Sequence, residues 1–157
     1  MMRVLEPWVA EPLTELVRES GARLALIMTA SGQVVAQYGF ARSLDVMAAS
    51  SLGAGILATT AALARLTGES GDFGAVVHQG GGRGVWLAGF DTPRGRWIGL
   101  VVFGNESSIG LIRLFFGRFA AQLAAATPGP VIGRELLAEG FERELDQSLR
   151  ALFGTEG

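Results

Sequence analysis

The chain has 157 residues, about one domain's length, with 49% apolar and only 18% charged side chains. Its basic residues are all arginine, and against fifteen acids they leave a net charge of −2, so no strong field directs the chain to nucleic acid or anionic lipid. With no cysteine and a single histidine, His78, it has no disulfide, thiolate nucleophile or thiolate metal site, and no basis for a histidine-centred metal site or proton relay.

So few charges on so small a domain leave apolar surface that a partner is expected to cover. The first residues, Met1-Met2-Arg3-Val4-Leu5-Glu6-Pro7, lack the apolar core and small-residue cleavage site of a signal peptide, and a cytoplasmic location is expected. Val9, Leu13, Leu16 and Val17 recur at helical spacing, with Gly21 as the stop. Arg23–Thr29 is a continuous apolar run that predicts a central strand. Ala30-Ser31-Gly32 turns it into a second strand over Gln33–Tyr38. Ser43-Leu44-Asp45 opens a long helix reaching about Thr67, stopped by Gly68. Three strands follow, Ala75–Gly80, Gly84–Phe90 and Trp97–Phe103. Their connectors, Gly81-Gly82-Arg83 and Thr92-Pro93-Arg94-Gly95, have the chemistry of hairpin turns.

Ser107 or Ser108 caps a further helix with Ile112, Phe115, Phe116, Phe119 and Leu123 on one broad face. Thr127-Pro128-Gly129-Pro130 ends a domain over residues 1–130. Beyond it, Leu137, Phe141, Leu145, Leu149 and Leu152 predict an amphipathic, acidic tail helix within 131–157. The order α-β-β-α-β-β-β-α with short connectors predicts an α/β sandwich on a five-stranded, mainly antiparallel sheet.

Several motifs invite a chemical reading. Gly53-Ala54-Gly55-Ile56-Leu57-Ala58 fits the dinucleotide fingerprint G-x-G-x-x-A, which would make the chain a nucleotide-using enzyme. That motif needs a strand running into a tight turn, whereas this stretch is helical on both sides. Gly80–Gly84 resembles a phosphate cradle but lacks the Lys-Ser/Thr of a Walker A loop, and a hairpin connector explains it. His78 reads as structural. Ser50, Ser51, Thr59 and Thr60 have no base to activate them, so no catalytic residue, cofactor or metal is expected.

The span Val46–Ala64 has no charge and is long enough to cross a membrane, but Ala, Ser, Thr and Gly dominate it. A buried soluble helix with no membrane insertion is expected. Its large residues Leu52, Ile56, Thr59, Leu63 and Leu66 form a stripe expected to face the sheet. The opposite side offers Ser50, Ala54, Ala58, Ala61, Ala62 and Arg65. This flat face lacks the charge of a solvent-facing helix and predicts contact with a partner, the alternative being cover by this chain's own tail.

This order of elements, with Glu19-Ser20-Gly21-Ala22-Arg23, Ala62-Leu63-Ala64-Arg65-Leu66-Thr67-Gly68-Glu69 and Val77-His78-Gln79-Gly80, resembles the Roadblock/dynein-light-chain family from about Leu13 to Pro128. The resemblance implies a Roadblock sandwich of the profilin and longin kind. It implies a homodimer that joins its sheets and sets the two long helices side by side. It also implies binding to a Ras-like small GTPase whose hydrolysis of GTP it stimulates, not by an inserted arginine but by repositioning the GTPase's own switch loops. Ala54, Ala58 and Ala62 fall where the family's helix meets its GTPase. The absence of lysine and the Gly80–Gly84 loop depart from the family pattern. A Roadblock-fold scaffold without effect on GTP turnover is the alternative.

Overall fold

Strand alternation builds the layers. The computed structural model describes residues 2–69 and 74–128, except for the side chain of Leu44. Along β2 (Leu24–Thr29), Ala25 and Ile27 point to one core while Leu26 and Met28 point to a second on the opposite face. Burial on both faces is why this strand reads as an unbroken apolar run. β3 (Val34–Tyr38) pairs beside it. After the long helix α2 (Ser43–Leu66) come β4 (Ala75–Gln79), β5 (Arg83–Thr92) and β6 (Gly95–Gly104). Every pairing is antiparallel.

The sheet has six strands rather than the expected five. The additional one, β1 (Met2–Val4), gives the order β1-β3-β2-β6-β5-β4. Three residues are too few to show alternation. β1 is defined by its ladder to β3, from Met2 opposite Tyr38 to Val4 opposite Ala36, and by the Leu5 N–H bond to Val35 O at 2.8 Å. The segment is anchored just downstream. Glu6 accepts from the Trp8 indole N–H and from Arg94 at 3.2 Å, and Trp8 stacks on Trp97 with centroids 5.5 Å apart.

On one face lie α1 (Ala10–Ser20) and α3 (Ile109–Ala125). Gly21, left-handed at φ 71°, ends α1 as its position suggests. Ser108 caps α3 by accepting from Leu111 N–H. Their apolar faces, with Trp86, Phe90, Trp97 and Phe103 from the sheet, make the larger core. Phe90, Phe116 and Phe119 meet there edge-on or tilted at 5.5–5.9 Å.

On the other face α2 lies against Leu26, Met28, Leu87, Ile98 and Leu100, and its orientation corrects the sequence reading. Most of the expected inward stripe points outward: Leu52, Leu63 and Leu66 are 67%, 53% and 85% exposed, as is the neighbouring Met47 at 65%, and only Ile56 of its large apolar residues, half-buried, packs against this core. The residues turned to the sheet are Val46, Ser50, Gly53 and Ala64, all buried, with Leu57, Thr60 and Ala61 half-buried. The sheet supplies the bulk here. A Cβ on Gly53 would stand 3.2–3.5 Å from Leu87, Met28 and Leu100, so the helix can settle only on its small-residue side. Nor is α2 a buried helix, since one narrow strip of it touches the sheet and the remainder is open.

Packing divides the chain into two units, Met1–Thr127 and Pro128–Gly157. The tail helix expected within 131–157 lies outside the described residues.

Candidate partner-binding surface

Helical phase gives α2 three exposed zones. Leu52, Ile56, Thr59 and Leu63 make one flank, Ala54, Ala58, Ala61 and Arg65 the other, and Gly55 and Ala62 the crest between them. Four large apolar side chains more than half exposed on one helix form a contiguous apolar surface rather than scattered single residues. The helix carries little else that water would hold. Its hydroxyls fold back on its own carbonyls, Ser50 to Met47 at 3.0 Å, Thr59 to Gly55 at 2.9 Å and Thr60 to Ile56 at 2.8 Å.

Under the small-residue flank, α2 leaves an apolar cleft of about 240 Å³. Ala54, Leu57, Ala58 and Ala61 line it from the helix, and Gly74, Ala75, Val76, Gly89 and Ile98 line it from the sheet, with Ala30 at the β2–β3 turn. Arg96, also in its wall, reaches across Gly89 to Asp91 at 3.1 Å.

Of the residues expected to bind a partner, Ala54, Ala58 and Ala61 are brought together at this cleft. Ala54 and Ala61 are half-buried, and Ala58 is exposed at the rim. Ala62 lies half-buried on the crest, and Arg65 is exposed in the last turn of the helix. Sequence reasoning missed the leucine flank. The sequence shows only that Ser50, Gly53 and Ala64 recur at helical spacing; that Gly53 meets Met28, Leu87 and Leu100 is visible only in the folded chain.

The remaining motifs find structural places. Gly53–Ala58 lies inside the unbroken helix α2, where its amide groups are committed to helical bonds instead of opening to a pyrophosphate. Gly81 and Gly82 form the β4–β5 turn, closed by Gly80 N–H to Arg83 O at 2.8 Å. Arg83 joins Gln79, Asn105, Ser107 and Ser108 around a separate hollow of about 380 Å³ at the start of α3. His78 is exposed on β4. No group of three or more His, Asp or Glu side chains suited to a metal occurs among the described residues.

Away from α2, Arg23 and Glu106 form an exposed pair at 2.6 Å. The hydrogen bond from Arg23, ahead of the bond from its own backbone, holds the Glu106 carboxyl below the ordinary range. The same bond raises Arg23. This pair ties the α1–β2 turn to the β6–α3 turn and takes no part in the exposed surface.

A long helix on one face of a six-stranded antiparallel sheet, with two helices on the other, defines the Roadblock class of α/β sandwich. No protein-family model matches the chain. No curated protein matches it. Solved structures do. The gliding protein MglB of Thermus thermophilus is similar at 30% identity, over 78% of this chain and 90% of that one, with a TM-score of 0.66. An MglB solved in a tetrameric arrangement is similar at 30% identity, over 78% and 89%, with a TM-score of 0.67. A Roadblock/LC7 domain from Streptomyces avermitilis shares the fold at 16% identity, over 69% and 88%, with a TM-score of 0.61. The chain belongs to the Roadblock/LC7 family, close to MglB.

Proposed function

We propose that the chain is a cytoplasmic, homodimeric regulator that binds an MglA-like, Ras-like small GTPase and stimulates its GTP hydrolysis. The observation that carries this reading is the outer face of α2, apolar and open on a protein of the MglB type. The leucine flank and the open β4 edge serve self-association. The small-residue flank and crest, Ala54, Ala58, Ala61, Ala62 and Arg65, take the GTPase. Small side chains let another backbone approach closely, as a flat docking platform requires. The regulator contributes shape: by holding the GTPase's switch loops in their hydrolytic arrangement it raises turnover through groups that belong to the partner.

The same surface also suits a scaffold that leaves turnover unchanged, a reading favoured by the tetrameric arrangement of one solved MglB. Single-turnover GTP hydrolysis by an MglA-type GTPase, with and without this protein, separates the two. Acceleration supports the regulator. Binding without acceleration leaves the scaffold, and absence of binding overturns both.

A further inference from the structure

α3 turns Ile112, Phe116, Phe119 and Leu123 inward. Its outer face also carries large apolar side chains, Leu111 and Leu114, both exposed. Gly110, Leu114, Gly117, Ala121 and Ala124 follow one another at alternating steps of four and three residues, and all are exposed. That spacing draws one line along about 25 Å of helix, the kind of seam into which a second helix packs. A helix side left to water normally carries charge. This line carries none.

The charge lies beside the line and has one sign, since α3 holds two arginines and no acid. Helical phase sets Arg113 and Arg118 about 140° apart with Leu114 between them, so each flank of the line has one cation. Both are held in place. Arg113 lies over the Trp86 ring at 5.7 Å and Arg118 over the Phe115 ring at 5.2 Å. Such contacts fix a guanidinium without neutralising it. Arg23, Arg94 and Arg96 each have an acid partner, whereas neither arginine of α3 forms an ion pair among the described residues. Glu15, which shares the furrow between α1 and α3 with Arg118, accepts from Gln122 at 3.3 Å instead.

We propose that the outer face of α3 is a docking site for an acidic amphipathic helix of a partner protein. The apolar stripe of that helix lies on Leu111 and Leu114, and carboxylates on both sides of the stripe meet Arg113 and Arg118. Charge selects this occupant over the alternatives. A second copy of α3 is excluded, because two such helices bring four arginines into one seam. A lipid surface fits poorly. An interfacial helix inserts a broad face of large apolar residues, and only Leu111 and Leu114 of this helix's large apolar side chains are exposed. Gly110 and Gly117 let the backbone of a partner helix approach closely. α3 and α2 lie on opposite faces of the sheet, so the site is open while α2 is engaged, and the inference stands apart from the GTPase reading.

The test uses the full chain and two labelled synthetic helices of about 18 residues. Both carry a single leucine stripe, flanked by glutamate in one and by lysine in the other. Fluorescence anisotropy is expected to show the glutamate helix binding and the lysine helix not, with affinity falling as salt rises. Arg113→Glu with Arg118→Glu changes two exposed side chains. It is expected to weaken the glutamate helix on the order of tenfold or more and to admit the lysine helix. Leu114→Gln leaves the charge alone and decides the matter if the double variant melts early; it too is expected to weaken the glutamate helix, and unchanged binding overturns the site. Leu52→Glu with Leu63→Glu, on α2, is expected to leave binding as it is. Equal binding of the two helices, binding of neither, or loss through the α2 variant overturns the inference. Phosphatidylserine vesicles are the last probe. A chain that sediments with them and ignores the glutamate helix has a lipid-binding face there, and the partner helix is overturned.

Discussion

Gly53 decides where α2 sits. In Gly53→Leu the new side chain runs into Leu87, Met28 and Leu100, and overpacking of this kind costs about 1–3 kcal/mol. A melting temperature several degrees lower is expected, on the order of 2–8 °C per kcal/mol-scale change; an unchanged melt means the helix is not seated there. Ala58 behaves oppositely. At the exposed rim, Ala58→Arg extends into solvent and leaves the fold within about 0.5 kcal/mol. At a flat GTPase interface the same change inserts a long cation where a methyl fits. A loss of about 1–3 kcal/mol weakens partner binding about tenfold to a few hundredfold. Melting and GTPase binding are measured on the same preparation, and intact folding with intact binding removes Ala58 from the docking face. For Glu106, whose folded-state pKa is depressed, the stabilising contribution is full above the unfolded carboxylate value near about 4.3. It is lost as pH falls through the lower folded-state value. The melts of wild type and Glu106→Gln therefore differ slightly at neutral pH, as for any exposed pair. They are expected to converge as pH falls below the folded-state value of Glu106, and a constant gap contradicts the pairing.

At the scale of elements, α2 and the sheet divide the work of filling the second core. The strands provide Leu26, Met28, Leu87, Ile98 and Leu100, and the helix provides a surface small enough to approach them. The leucines displaced from that core become available to a second molecule. A double change, Leu52→Glu with Leu63→Glu, alters two exposed positions and so spares the fold. It places charge in an apolar seam, where an unpaired desolvated carboxylate is costly. Light scattering is expected to fall from about 33 kDa, twice the 16.5 kDa chain, to the mass of one chain with the melt still cooperative. A dimer that survives both substitutions puts self-association elsewhere. The opposite sheet edge is covered differently, by the short β1 held through Glu6, Trp8 and Arg94.

For the whole molecule, residues Met1–Thr127 pack as one unit and contain both cores, the six described strands and the three described α-helices. A chain ending at Thr127 is expected to unfold in one cooperative transition and to keep the oligomeric state of the full chain, with any loss confined to partner affinity. Chemical denaturation with light scattering checks this, and a truncated chain that cannot fold would place the tail in the core. GTPase stimulation, by contrast, belongs to the assembly of regulator and partner, because the chemistry proposed for it resides in the GTPase.

The sequence by itself determined the order of every main element except β1, the antiparallel pairing and the family resemblance. Each of these is written locally: Gly21 at a helix end, Ser108 at a helix start, the doubly buried run Leu24–Thr29, and the Gly and Pro turns of the later hairpins. Short connectors then leave antiparallel neighbours as the simple solution. Tertiary structure alone decided which side of α2 faces inward. Periodicity reports that a helix has a large-residue side and a small-residue side; which one is buried depends on the volume the sheet already fills. Here Met28, Leu87 and Leu100 fill it, so a helix with Gly53 at the contact turns its leucines outward. β1 escaped sequence reading for a related reason. Met2–Val4 carries too short a pattern to announce a strand, and only the free edge of β3, assembled from distant residues, makes it one.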